Sequence, residues 1–535
     1  MKKSIYLICS LFILLLCDLN AQKRYLDPIF SGVQRDSFVY ASNFEVLSGA
    51  PVLINLPMDV YTPIGDTATN RPLVILFHTG NFLPTLPNPL NGGIAGNRRD
   101  SVLVEIATRL AKMGYVVASV EYRLGWNPVS PDINVRVNTL INAAYRGIQD
   151  ARSCVRYLRK NVKDGGNSFG IDPNKVVYFG DGTGGYISLG AATLDKYSDI
   201  VIPKFIGPDI TGDGIPDPFV IQPIHGDPFG TTLGVNPSNQ ATLCKPNTVN
   251  FNDGTAIGSD VALTVNLGGA LGDTSWLDKS DPPVISFHVP IDPFAPYKSG
   301  VLIVPTTGDQ IVEVQGSYWV QRKADSLGVN SVFELPNPIT DAYSVQANKN
   351  NEGFDGLYPV VQGYLPNPFT GNPYPQSGPW QWWESAIWST IPHPSCPTGA
   401  PVTLCNFHVI NSIGNQTMSA TKGRTYVDTI IGYYAPRAYR ALQLWPTSSE
   451  EYLKGTEFKV TIAPVPASSE VYIQSEVEQP ILGIEMFDVN GRRVRNIQNI
   501  NHAVYSLDRE GLSNGVYFVK LRFKAGLMTR KVVFH

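Results

Sequence analysis

From about residue 71 the sequence repeats one local pattern, a short apolar run rich in β-branched residues followed by an amphipathic stretch. RPLVILFH precedes DSVLVEIATRLAKMG, YVVASVEYRLG precedes TLINAAYRGIQDARSCVRYLRKNVK, and KVVYF precedes a helix entered at Gly184. Strands apolar on both faces must be covered on both faces, and parallel neighbours need long crossovers, so the pattern predicts an α/β fold: a mostly parallel sheet flanked by helices. ALTVNLGGALG and PPVISFHVPID read as further strands, VEVQGSYWVQRKADSLG as a helix, SVFELP as the last strand, and GYYAPRAYRALQLW as the last helix. The stretches 201–260 and 341–425 lack this alternation and read as two long inserts.

The texture changes after the polar stretch PTSSEEYLKGTE. FKVTIAP, EVYIQ, ILGIEMFD, AVYSL, GVYFVKLRF and RKVVFH are short strand-like runs broken by turns, with Asn490-Gly491 as a hairpin signal. A separate all-β sandwich is the economical reading. The division expected is a leader at 1–21, the α/β domain at 22–445, a linker at 446–457 and the sandwich at 458–535.

Composition excludes several classes. Charged residues make up 16% of 535 residues, against 48 Gly and 42 Pro, which fits a globular body with long irregular connections and neither disorder nor coiled coil. The formal charge of -3 carries no basic stripe, so nucleic acid and anionic membranes are not expected partners. Lys2 and Lys3 precede an apolar run from Ile5 to Leu16, with Ala21 at a cleavage point. This is the form of a secretory signal, too short to span a membrane, and no other segment is long and apolar enough to do so. Of the four remaining cysteines, Cys396 and Cys405 close a short loop, which would pair Cys154 with Cys244. Free buried thiols are the alternative.

The segment VVYFGDGTGGYISLG, from Val176 to Gly190, opens as a strand, breaks at glycines and closes as a helix. Gly180, Gly182 and Gly185 match the G-x-G-x-x-G of dinucleotide-binding turns, and Asp199 stands where a ribose-binding acid would be. Gly180 and Gly184 also match the flanks of the G-x-S-x-G turn that exposes a nucleophilic serine, with Gly182 in place of the serine. Two β-α units precede this turn, whereas a nucleotide fold carries its fingerprint after the first strand.

Two family resemblances are carried by longer stretches. LPMDVYTP, RPLVILFHTGNF, MGYVVASVEYRLG and RGIQDARSCVRYLRKN through FGIDPNKVVYFGDGTGG are similar, in order and spacing, to the carboxylesterase branch of the α/β-hydrolase family. APVPASSEVYI, IEMFDVNGRRV, LDREGLSNGVYFVKL and TRKVVFH resemble the type A C-terminal sorting domain of the type IX secretion system of Bacteroidetes, with Val465 where that family has asparagine. The first implies an esterase-like fold with a Ser-His-acid site. The second implies export to the cell surface or beyond, with the secretion machinery as a partner.

Carried onto this chain, the hydrolase resemblance puts Gly182 at the nucleophile, where no acyl-enzyme can form. A slip of one residue would bring Thr183 to the tip, but Asp181 would then replace a flanking glycine. The oxyanion donors fall on Gly80, Asn81 and the N–H of Thr183, in a loop reading His78-Thr79-Gly80-Asn81. His78 is read as a brace for that loop. Asp292, just past a strand, takes the acid position, and His288 on that strand is read as a packed histidine. No histidine lies between residues 336 and 388, so His393 is the remaining candidate base. The expectation is a secreted or surface protein with a hydrolase fold and depleted catalytic machinery, serving a binding or structural role for a carbohydrate, ester or surface-protein ligand. The rival is an ester hydrolase working through Thr183 or a displaced His393.

Two other stretches carry candidate chemistry. PDITGDGIPDPF spaces Asp209, Thr211, Asp213 and Asp217 as in a Ca2+ loop with Gly214 at the turn, but Val220 stands where the closing acid belongs. No cofactor is required by the site itself. SGPWQWWESAIW clusters Trp380, Trp382, Trp383 and Trp388, either as an exposed stacking platform or, as is commoner for tryptophan, as a buried anchor for the second insert.

Overall fold

The computed structural model describes residues 23–47, 50–83, 96–209, 211–303, 308–335, 337–393, 396, 399–444, 459–489, 492–524 and 526–535. The leader, the linker and the Asn490-Gly491 turn lie outside the described residues. The chain forms two compact units, residues 1–443 and 444–535.

The first unit is built on one eight-stranded sheet: β1 (Val33–Val46), β2 (Pro51–Pro63), β3 (Arg71–Phe77), β4 (Val116–Val120), β5 (Ile171–Asp181), β6 (Leu263–Leu267), β7 (Val284–His288) and β8 (Leu357–Pro359). Their spatial order is β1-β2-β4-β3-β5-β6-β7-β8. β1 and β2 are antiparallel and β2 meets β4 antiparallel, while every pair from β4 to β8 is parallel. The central strands are buried along their whole length, as their unbroken apolar sequences require.

Helices α1 (Ser101–Lys112), α2 (Ile133–Asp164), α3 (Thr183–Thr193), α4 (Ser317–Leu327) and α5 (Ala420–Ala441) accompany the sheet. α2 is entered through an Asp132 cap whose carboxylate accepts the Asn134 N–H. Its core face recurs with helical spacing at Leu140, Ala143, Ile148, Ala151, Val155 and Leu158. No helix among the described residues is long and apolar enough to cross a membrane.

Three expectations are corrected. VEVQG belongs to a strand, Gln310–Gly316, that pairs with Ser299–Ile303, and α4 begins only at Ser317. Gly316 ends the strand, and the amphipathic pattern that suggested one long helix fills only α4. SVFELP is not the last strand: residues Val329–Phe333 form a 3-10 turn. There the Asn330 side chain accepts the Val284 N–H at 2.8 Å, and Leu357–Pro359 takes the ladder beside β7. The last strand therefore lies inside what reads as the second insert. Finally, Cys396 and Cys405 are bonded, but Cys154 and Cys244 are not. Cys154 sits in the main core on α2 and Cys244 packs against Gly226 in the first insert, and burial pushes both thiols up and away from reactivity.

The second unit is an all-β sandwich. A three-stranded sheet of Thr461–Ala463, Glu470–Gln474 and Val504–Asp508 faces a four-stranded sheet of Arg493–His502, Ile481–Phe487, Gly515–Phe523 and Gly526–Phe534. Alternate residues point inward, and Val471, Ile484, Val519, Leu521 and Phe534 meet in one core.

Candidate active site

The turn between β5 and α3 decides the register. Gly182 has φ 54° and ψ -115°, between Asp181, the last residue of β5, and Thr183, the first of α3. A side chain is strained in that conformation, and a nucleophile elbow holds its reactive residue in this way. A Cβ on Gly180 would overlap the Gly184 carbonyl, and one on Gly184 would overlap the Phe77 carbonyl. Both flanking glycines are thus required by close packing. Gly182 is the tip, and Thr183 follows it.

The space above the tip is occupied. A Cβ at position 182 would fall 2.9 Å from the Thr79 Cβ and overlap the Thr79 hydroxyl. Thr79 comes from the loop after β3, where the expected oxyanion donors Gly80 and Asn81 also lie. His78 braces that loop: its Nδ1 donates to the Thr79 carbonyl at 2.6 Å, its Nε2 lies 3.2 Å from Glu121 Oε2, and its ring stacks on Tyr122. Asn81 and Phe82 both have φ 55°, a left-handed conformation that asparagine adopts readily and phenylalanine only at a cost. The Gly125 and Trp126 N–H groups both donate to the Phe82 carbonyl at 3.0 Å and hold it there. As the first residue of α3, Thr183 has an N–H without an intrahelical acceptor, the geometry of an oxyanion donor.

Asp292 lies in the turn after β7. Its Oδ1 accepts the N–H groups of Phe294 (2.7 Å) and Ala295 (3.2 Å), and its Oδ2 accepts the Ser377 hydroxyl at 2.8 Å. A base of a triad would meet the acid where Ser377 does. The His393 ring packs edge-on against Phe407, and among the described residues it makes no hydrogen bond to Asp292. His288 is buried, between the Ser317 hydroxyl (2.8 Å) and the Ala295 carbonyl (3.1 Å), and burial lowers its basicity. The Thr183 hydroxyl lies 3.3 Å from the Tyr122 hydroxyl, whose own proton goes to the His78 carbonyl. Burial holds that phenol far above its usual range, so it offers Thr183 no base.

Beside the elbow opens a cavity of about 610 Å³. Thr183, Asn81 and Asp292 stand on its wall, and the rest is almost wholly apolar, including Leu140, Ala144 and Ile148 from one face of α2 and Val301 and Val314 from the hairpin before α4.

Residues 58–307 match the sequence profile of the BD-FAE family, and residues 461–535 that of the secretion system C-terminal sorting domain. The first match spans β3, the elbow and Asp292, in the strand order described above. The match and the sheet together mark the first unit as esterase-like, with an α/β-hydrolase type of fold. Solved structures similar to the chain include Thermogutta terrifontis esterase 2 phosphorylated by paraoxon, at 16% identity and TM-score 0.27, covering 49% of this chain and 73% of that one. The apo form of that esterase (16%, TM-score 0.26, 49% and 74%) and its propionate-bound form (17%, 0.26, 49% and 74%) are similar to the same degree. The sorting domain implies type IX secretion to the cell surface or extracellular space and contact with that machinery.

In the hydrolase domain the second insert reaches the floor of the elbow. Trp380 Nε1 donates to Asp181 Oδ1 at 2.8 Å and Gln381 Nε2 to Oδ2 at 3.1 Å. All four tryptophans of the cluster are buried, so they anchor the insert and present no stacking platform. Burial raises Asp181 to about 6, the two N–H donors pulling the other way, and burial with the charge of Asp181 raises Asp100 as well. The folded value of Asp181 lies above the unfolded value of about 3.9. Its contribution to stability is therefore whole below about pH 4 and is lost as pH rises through about 6. Asp181→Asn keeps an acceptor for Trp380 and is expected to remove that slope, gaining roughly 1–3 kcal/mol over wild type at neutral pH. Urea unfolding at acidic and neutral pH checks this, and parallel pH slopes for the two proteins would refute it.

The Ca2+-like loop of the domain turns its carboxylates on itself. Asp209 accepts the N–H groups of Gly212 (2.6 Å) and Gly214 (2.8 Å), Asp217 that of Thr211 (2.7 Å), and Asp213 that of Ile215 (2.9 Å). Among the described residues no group of three or more His, Cys, Asp or Glu is placed to hold a metal. Sequence reasoning missed Thr79 as the occupant of the elbow and Ser377 as the partner of the acid. The departure from glycine at Thr79 was a legible signal, whereas Ser377 lies in an insert with no pattern to align.

Proposed function

We propose that the protein is an exported hydrolase-fold binding protein that holds an apolar ligand beside the elbow without hydrolysing it. The observation that carries this reading is the Thr79 hydroxyl in the volume a nucleophile at 182 would need. Support comes also from Ser377, which takes the place of the base beside Asp292. In a triad that acts as a unit, losing nucleophile or base removes on the order of 10⁶ in kcat, so the remaining oxyanion donors give little turnover. A large, preformed and mostly apolar cavity is by contrast the ordinary form of a small-molecule site.

The rival is hydrolysis through Thr183, which lines the cavity and carries a hydroxyl. It lacks a neighbouring base, and His393 is packed on Phe407. Purified chain without its leader should hydrolyse p-nitrophenyl acetate and butyrate at the background rate and take up no fluorophosphonate label. Labelling that disappears in Thr183→Ala would sink the proposal.

A further inference from the structure

We infer that the cavity selects an organic cation, a protonated amine on an apolar body, with the amine seated against Asp292. This deepens the proposed binding role, and rests on the reading that no imidazole among the described residues hydrogen-bonds to that carboxylate; the nearby His288 ring is turned to Ser317 and the Ala295 carbonyl instead.

Three observations point the same way. Among the described residues no lysine, arginine or histidine lines the cavity, and Asp292 is its one carboxylate. Second, the partners of Asp292 are all neutral: two backbone N–H groups on Oδ1 and the Ser377 hydroxyl on Oδ2. A carboxylate offers about four acceptor positions, so one on Oδ2 is left. Among the described residues no ion pair involves Asp292. An intact triad would set an imidazole there, able to become a cation, whereas a serine is too short to fill that volume. Third, the Tyr186 hydroxyl is buried, has no hydrogen-bond partner among the described residues and lines the same cavity. An ammonium has three donors to distribute, and the two oxygens, Asp292 Oδ2 and Tyr186 Oη, each accept one. Tyr374 and Phe294, also on the wall, are aromatic residues of the kind that attract such a charge.

The opposing influence is the N-terminus of α3 at Thr183, which favours negative charge. That attraction is fractional and spread over the first turn, whereas Asp292 sets a carboxylate on the cavity wall. A fatty carboxylate or a phosphate would have to oppose it. The aliphatic and aromatic remainder of the cavity suits a linear or aryl-alkyl body.

The test is titration calorimetry on the full chain without its leader at neutral pH, using phenylbutylamine, phenylbutyrate and phenylbutanol, three probes of one shape that differ in head-group charge. The amine should bind about tenfold or more tightly than either other probe, the range of a charge-assisted hydrogen bond over a neutral one. Asp292→Asn, which keeps an oxygen for the Phe294 and Ala295 N–H groups, should bring the amine level with the alcohol. Ala144→Phe, which fills the cavity from α2, should weaken the amine at least tenfold with Asp292 untouched. If Asp292→Asn does not fold, the ordering of the probes on the wild type and its loss in Ala144→Phe decide. Absence of amine binding, equal or tighter binding of phenylbutyrate or phenylbutanol, a preference that survives Asp292→Asn, or indifference to Ala144→Phe would each overturn the inference. Ester hydrolysis by the wild type would instead sink the non-hydrolytic reading while leaving the amine ordering to stand on its own.

Discussion

Serine placed at position 182 alone is expected to destabilise the hydrolase domain by roughly 2–5 kcal/mol and to leave it without esterase activity. Two costs add. The backbone there, at φ 54°, strains any residue with a Cβ, and that Cβ would overlap the Thr79 hydroxyl. The second cost is removable: Thr79→Gly with Gly182→Ser should recover about 1–3 kcal/mol, leaving the backbone strain. Urea unfolding of wild type, both single variants and the double variant forms a cycle whose interaction energy reports the contact. On the proposed reading, with Ser377 at Asp292 in place of a base, the double variant should remain unreactive toward p-nitrophenyl esters. A Gly182→Ser protein as stable as wild type, or one that turns over these esters, would mean that Thr79 does not block the elbow.

The second large effect is expected at Arg123. Its guanidinium and the Asp150 carboxylate are both fully buried, 2.8 Å apart, and the Arg123 N–H donates to Asp150 Oδ2 at 2.8 Å as well. Arg123 also donates to the Gln149 side chain at 3.0 Å and the Leu243 carbonyl at 3.3 Å, so it joins the end of β4, α2 and the first insert. Arg123→Met removes the cation and strands a buried carboxylate, at about 3–5 kcal/mol. Arg123→Met with Asp150→Leu removes both charges and should be milder than the single change. Denaturant midpoints of the two variants test this. A single variant within about 1 kcal/mol of wild type would show that Asp150 finds another partner, Arg146 being nearest in charge.

Most of the sheet was legible because its strands are apolar on both faces, and a pattern of that kind has few other solutions. The failures share a cause. VEVQG and SVFELP are short, and for short apolar runs periodicity cannot separate strand from helix, so neighbours decide. At SVFELP the deciding neighbour was a side chain, Asn330, which caps β7 where a strand was expected. At the site, the turns that carry Gly182, Thr183 and Asp292 could be placed because each follows a readable strand. What sequence could not supply was distance: that Thr79 fills the place of a side chain 103 positions further on, and that Ser377 meets Asp292 from a patternless insert. The cysteines show the same limit. Spacing correctly isolated Cys396 and Cys405 as a short loop, but elimination then paired two thiols that the fold keeps in different surroundings.

Those two thiols give the molecule separate chemical addresses. Cys154 is enclosed by the main core on α2, and Cys244 by the first insert, at the strand pairing Thr242–Cys244 with Gly234–Val235. An alkylating reagent is expected to reach the first only when the whole domain opens and the second whenever the insert lifts, so the ratio of the two labelling rates separates opening of the first insert from global unfolding.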